Sequence, residues 1–417
     1  MLLRIGLMAL SLTLDVWMRD EPPYDDSHLI PVRRELADED NAYSLLEQAW
    51  KTYTWPDWEV GEERLSFFYD EVPAFGHPDW DFEFVEGLLA DNAETLKLFE
   101  AGVQKGKLQA PEVKSIDSLL PYLSPWRQLA VLSKLRAAHL YNTGHHQEAF
   151  QHAVNIVRFG SMIESSEGPL ITLLVGTACK NIGLESLRGI LPALELPAEE
   201  LKTAVQELEQ YFITTEAAEI VCKTEFVIGM SAFKDLSAEI KAPFHFKPNK
   251  TKRLFGETIE IMIHNMTHNA AQRAHASEEL AATFDAPHMV IGITEGGVEL
   301  RPSEPSAVLN SNAVGKAMLG LVCPSYGGVA FHKCRTEIIL HTTRLLIALK
   351  AYKLDHGELP GALDALVPEY INAVPIDDFD GRPLRYDRNQ RIIYSVGENL
   401  EDDGGNEKDD IVTKIDF

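Results

Sequence analysis

The sequence predicts a mainly α protein, an array of helical hairpins followed by a small α+β module with a short antiparallel sheet. Apolar residues recur at helical spacing through most of residues 41–330. The period switches to alternation in "HMVIGITEGGVELRPSEPS", around a Glu-Gly-Gly turn, which predicts a β-hairpin or flap near 289–301. After Cys334 the signals run in the order long helix, Gly stop, short helix, Asp-Gly turn and two short strands.

The first element is the N-terminus. In "MLLRIGLMALSLTLDVWMRDEPPYDD", Arg4 precedes an apolar stretch from Ile5 to Leu14, and a polar, Pro-bearing exit follows. That pattern predicts a secretory signal or membrane anchor over residues 1–18, with an exposed linker over 19–40. Its alternative is an ordinary first helix. Export or anchoring places the protein in the cell envelope, touching the membrane only through this segment.

The helical body follows, over residues 41–330. "AYSLLEQAW" and "FVEGLLADNAETLKLFE" are helices around an aromatic stretch carrying Trp50, Trp55, Trp58 and Trp80. Such rings form a platform for sugar rings or, more commonly, pin a loop onto helices through their large burial energy. "PWRQLAVLSKLRAAHLYNTGHHQEAFQHAVNIVRFGSMI" resembles one tetratricopeptide-type hairpin, with Ala138, Tyr141, Ala149, Phe150 and Ala153 at packing positions and Gly144 at the turn. No second copy follows at that repeat's period of about 34 residues. "LPAEEL" opens another helix, with Pro197 early and two Glu at the positive end of the dipole.

Composition limits the function. The chain has 417 residues and 46.6 kDa, more than one core usually serves. A net charge of -26 opposes phosphate backbones, which are bound by clustered Lys and Arg, so nucleic acid is not an expected partner. Cys179, Cys222, Cys323 and Cys334 are too few for a disulfide scaffold and lack C-x-x-C spacing. In an exported chain Cys323 and Cys334 are spaced to close a short loop; in a cytosolic one all four are buried thiols. "ETIEIMIHNMTH" spaces Glu260, His264 and His268 four apart on one helix face, without the third ligand or the H-E-x-x-H arrangement that zinc chemistry uses. No G-x-S-x-G elbow, Walker loop or paired-Gly fingerprint is present.

In the C-terminal module, 331–417, Ile338, Leu345, Leu346, Leu349 and Tyr352 mark a helix that stops at Gly357. "PGALDALVPEYI" predicts a short second helix, Asp380-Gly381 a turn, and "LRYD" and "RIIYSV" a hairpin about "RNQ". The acidic run "ENLEDDGGNEKDDI" comes next. Asn399, Glu401, Asp402, Asp403, Asp409 and Asp410 carry the oxygen ligands that calcium takes, and Gly404-Gly405 lets the backbone bend. Ile411, Val412 and Ile415 are placed to dock back on the sheet. A solvated acidic tail is the plainer reading of the same run.

The wording of "ALKAYKLDHGELPGALDALV", "FDGRPLRY" and "IIYSVG" resembles the globular part of the major pseudopilin of type II secretion. In that family the loop after the last strand binds calcium through aspartates and backbone carbonyls. The resemblance implies a calcium loop here, with Asn399 at the family's first loop aspartate and Asp409 and Asp410 as the pair before the closing Ile411. Asp402 and Asp403 complete the expected metal-ligating set. Pseudopilins begin with a hydrophobic helix that runs into this module, whereas here residues 1–330 precede it, so the resemblance implies a borrowed module rather than a pilus-shaft subunit. The layout is also similar to bacterial envelope proteins with an N-terminal anchor, a helical body and such a tail. These readings predict a non-enzymatic envelope protein that mediates protein interaction and carries a structural calcium loop. The alternative is a hydrolase with its cleft between the helical body and the 289–301 hairpin, using Glu260, His264 and His268.

Overall fold

The computed structural model describes residues 19–55, 75–76, 80–115, 117–239, 246–269, 289–294, 297–306, 312–322 and 326–417. The fold is mainly helical, with a small open antiparallel sheet at the C-terminus. Among the described residues the α-helices begin with α1 (Tyr43–Lys51), α2 (Phe82–Asp91) and α3 (Ala93–Gln104). The long pair α4 (Leu123–Asn142) and α5 (His146–Glu164) then forms the predicted hairpin. Gly144 turns it at φ 84°, and His145 N–H reaches back to the Leu140 carbonyl at 2.8 Å, closing the end of α4. Ala149, Phe150 and Ala153 are buried in one core cluster, and Ala138 in another against α2.

α6 (Leu170–Ile190) lies against α5 at unusually close range, and glycines permit it. A Cβ on Gly160 would stand 2.3 Å from the Lys180 backbone nitrogen, one on Gly176 2.7 Å from that of Glu164, and one on Gly183 2.6 Å from that of Val157. Nothing larger than hydrogen fits there. α7 (Ala198–Leu208), α8 (Thr215–Glu239) and α9 (Pro248–Thr267) follow. The predicted hairpin forms as β1 (Met289–Thr294) and β2 (Gly297–Pro302), antiparallel with Thr294 opposite Gly297. α10 (Ala313–Val322) and the long α11 (Tyr326–His356) are the last α-helices among the described residues.

α11 ends as predicted, with Gly357 at φ 81° and its N–H on the Lys353 carbonyl at 2.8 Å. Ile338, Leu345, Leu346 and Leu349 are buried, but so are Thr342, Thr343, Arg344 and Lys350. The helix is enclosed on both sides: α6 and α7 pack on one, and the terminal sheet covers the other. One apolar cluster therefore runs from Leu140 and Phe150 through Leu187 and Leu201 into Ile338, Leu366, Phe379 and Ile393, joining body and module. The expected second helix is a 3-10 turn, Leu363–Leu366. β3 (Arg385–Asp387), β4 (Ile392–Ser395) and β5 (Ile411–Lys414) form a sheet in that order, so the residues after the acidic loop return as a third strand, Ile411 opposite Ser395.

The expectation of membrane contact through the N-terminus, and of an envelope location built on it, is corrected here. Residues 1–18 lie outside the described residues. Among the described residues, the helix long and apolar enough to cross a bilayer is internal, Leu170–Ala193, and 56% of its apolar window is buried inside the protein. It contains Lys180, which is paired with Glu164 in the interior. Its apolar character serves the packing of α6 against α5 and α11.

Candidate functional site

A cavity of about 560 Å³ opens between the end of α3, the turn after it, α5, the end of α7 and the residues following it. Arg158 on α5 organises its wall. Its Nε donates to Tyr211 Oη at 2.7 Å, Nη1 to Gln104 Oε1 at 3.1 Å and Nη2 to Glu207 Oε1 at 2.5 Å. Tyr211 Oη in turn donates to Glu207 at 2.7 Å. Burial pulls the Arg158 pKa down, but the Tyr211 and Glu207 hydrogen bonds more than offset it and hold the guanidinium above its ordinary value. Burial pushes the Tyr211 phenol up to about 12, so it remains a neutral donor.

Tyr211 is held from behind as well. Lys180 Nζ, 1% exposed, donates to the Tyr211 carbonyl at 2.7 Å and is ion-paired with Glu164, 4% exposed. Thr177 Oγ1 donates to the other Glu164 oxygen at 3.0 Å. A buried pair costs several kcal/mol to desolvate, which good geometry and extra hydrogen bonds must offset. This pair has both. The opposite wall is latched by Gln109, whose amide donates to Glu167 at 2.7 Å and to the Arg34 carbonyl at 2.8 Å. Glu167 sits at φ 59°, a left-handed conformation for a residue with a side chain, at the turn from α5 to α6.

Arg34 and Lys107 stand exposed on the rim with no carboxylate within ion-pair distance among the described residues. The lining offers fixed charges, amides and the Ser161 and Ser165 hydroxyls, with no histidine or cysteine. Apolar Leu36, Leu108 and Met162 line the cavity beside these polar groups. Sequence reasoning missed it, because Arg158, Tyr211, Gln109 and Glu167 lie far apart in the chain and share no motif.

The histidine cluster does not assemble. Glu260 turns to His28 Nε2 at 2.7 Å and receives Tyr24 Oη at 3.4 Å. His264 and His268 stack on each other with ring centroids 3.9 Å apart at the end of α9. None of the three lines the cavity just described. Trp80 is buried, while Trp50 stacks on Tyr53 at 4.8 Å and Tyr53 on Trp55 at 6.0 Å; Trp58 lies outside the described residues. Cys334 is buried on α11, and Cys323 lies outside the described residues.

The acidic loop folds back over its sheet: a Cβ on Gly405 would meet the Ile392 side chain at 2.3 Å. Most expected ligands have protein partners. Asp402 accepts from Tyr394 Oη at 3.1 Å and lies 3.5 Å from Arg385 Nε, and Asp403 accepts the Asn399 amide at 2.7 Å. Asp409 accepts the Asn406 amide at 3.1 Å. Asp410 differs. It is 5% exposed, and its Oδ2 accepts Gly405 N–H at 2.7 Å and Asn406 N–H at 3.1 Å, while its buried Oδ1 has no hydrogen-bond partner. Buried carboxylate oxygens are normally satisfied, and a hard cation is one way to satisfy one. Among the described residues no three His, Cys, Asp or Glu side chains converge on a metal position. What the loop offers a cation is thus the single unpartnered oxygen of Asp410, with no second carboxylate converging on it among the described residues.

Compared with family models, curated proteins and solved structures, the chain matches none.

Proposed function

We propose that the chain is a non-enzymatic interaction scaffold whose helical body holds an extended polypeptide segment of a partner in the cavity built on Arg158. The carrying observation is the preorganisation of that cavity: Tyr211 is fixed through its ring hydroxyl and its carbonyl, by Arg158 and Lys180. Groups fixed beforehand lose little entropy on binding. The Gln210 amide and the rim cations Arg34 and Lys107 suit backbone carbonyls and carboxylates of such a segment. The test is charge reversal: in Arg34→Glu/Lys107→Glu, recovery of the co-purifying partner should fall at least about tenfold while melting stays as in the wild type. Unchanged recovery would contradict the reading.

We further propose that the C-terminal module is a pseudopilin-like unit with a structural calcium at Asp410. The support is the order of helix, turn and strands, the return of β5 and the unsatisfied Asp410 Oδ1. Bound there, the ion would supply a cross-link between the loop and the sheet edge. Metal analysis of purified protein and melting with and without chelator test this; absence of calcium together with an unchanged melting curve would sink it.

A further inference from the structure

A second cavity, about 320 Å³, lies where the end of α6 meets α11 and β5. Arg188 lines it. Its guanidinium is held by neutral oxygens alone: Nε donates to Thr343 Oγ1 at 2.9 Å, and Nη2 to Thr342 Oγ1 at 2.6 Å and to the Ile339 carbonyl at 3.0 Å. Nη1, with two N–H groups, donates to no acceptor among the described residues. No carboxylate lies within ion-pair distance among the described residues; Glu185, which influences it electrostatically, is engaged by Lys134 at 3.0 Å.

Lys350, 8% exposed, lies behind this wall, one helical turn along α11 from the lining residue Leu346. Its Nζ donates to the carbonyls of Leu191 and Pro192, also lining residues, and has no carboxylate in ion-pair range among the described residues. A guanidinium held without a carboxylate partner is costly, and it is conspicuous in a chain of net charge -26. The acidic groups at the mouth do not supply the counter-charge: Glu407 is tied to Lys414 at 2.7 Å, and Asp416 is exposed.

We propose that this cavity is a binding site for a compact oxyanion, a carboxylate or a phosphate, gripped by Arg188 Nη1. Planar guanidinium forks suit both groups, and the ion would neutralise the Arg188 charge. The assignment is independent of the Arg158 cavity and of the calcium loop.

The experiment titrates the full chain with sodium malonate or sodium phosphate against sodium chloride at matched ionic strength, following melting and binding heat. Either anion should raise the melting temperature by several degrees at saturation. Arg188→Lys, which keeps the charge and loses the fork, should weaken binding at least about tenfold, and Arg188→Gln should abolish it. A response to malonate alone assigns a carboxylate ligand, and one to phosphate alone a phosphate. No anion-specific effect on the wild type would overturn the proposal, even if Arg188→Gln failed to fold. An equal response in wild type and Arg188→Lys would overturn it too.

Discussion

The crossing of α5 and α6 and the centre of the C-terminal module both bury charge, but in different company. At the crossing, Lys180 and Glu164 form a single pair beneath a contact shaped by Gly160, Gly176 and Gly183. In the module, Asp377, 0% exposed, is a hub: it accepts the N–H groups of Phe379 and Val396 at 3.0 Å each, Ser395 Oγ at 2.8 Å and Arg385 Nη1 at 2.8 Å. One carboxylate thereby ties the Asp-Gly turn to β3 and to the end of β4. The first region is specified by shape, with a charge pair fitted into it; the second is specified by the charge itself.

The largest expected effect separates these cases. Lys180→Met leaves Glu164 buried and unpaired, which should cost about 3–5 kcal/mol in denaturant unfolding, and adding Glu164→Leu should recover most of it. Asp377→Leu should cost about as much, yet Arg385→Met should not rescue it, because the Phe379 and Val396 N–H groups remain orphaned. Rescue in both regions would erase the distinction.

Next comes shape alone. Gly160→Ala should destabilise by about 1–3 kcal/mol or more, since its Cβ meets backbone rather than a movable side chain. Gly87→Ala on α2, where nothing lies within 4 Å, should instead stabilise by about 0.5–1 kcal/mol through helix propensity.

The pH response sharpens the boundary between the two regions. Glu337 on α11 is 6% exposed; burial pushes its pKa up to about 7, and Asp378 adds to this against the opposing pull of Lys333. Its unfolded value is near 4.5, so the native state binds the extra proton between about pH 4.5 and 7, and stability falls as pH rises through that window. His341, on the same helix, is pushed down to about 4 by burial and has the opposite slope below pH 6.5. Glu337→Gln isolates the first effect: relative to wild type it should gain about 1–3 kcal/mol between pH 5 and 8. A constant difference across that range would refute the assignment.

The hairpin turn at Gly144, the stop at Gly357, the Asp380-Gly381 turn and strands β3 and β4 were legible because each is encoded within a few residues. The C-terminal return was visible in outline, since Ile411, Val412 and Ile415 follow a polar loop. What stayed hidden depends on partners distant in sequence. Glu260, spaced as if for His264, pairs with His28 instead; Gly160 and Gly176 look unremarkable until two helices meet over them. The Arg158 cavity and Arg188 carry no local signal, because their oxygens come from helices and a turn far away in the chain.

The central claim is that the Arg158 cavity seats a polypeptide segment. A photo-crosslinking residue placed at Ser161 or Ser165, on the cavity wall, tests it against the same probe at Leu119, which is 89% exposed. In the native host, the account predicts one discrete protein adduct from Ser161 and Ser165, lost in Arg34→Glu/Lys107→Glu, and none from Leu119. Equal labelling from all three positions, or a cavity adduct indifferent to the charge reversal, would contradict it.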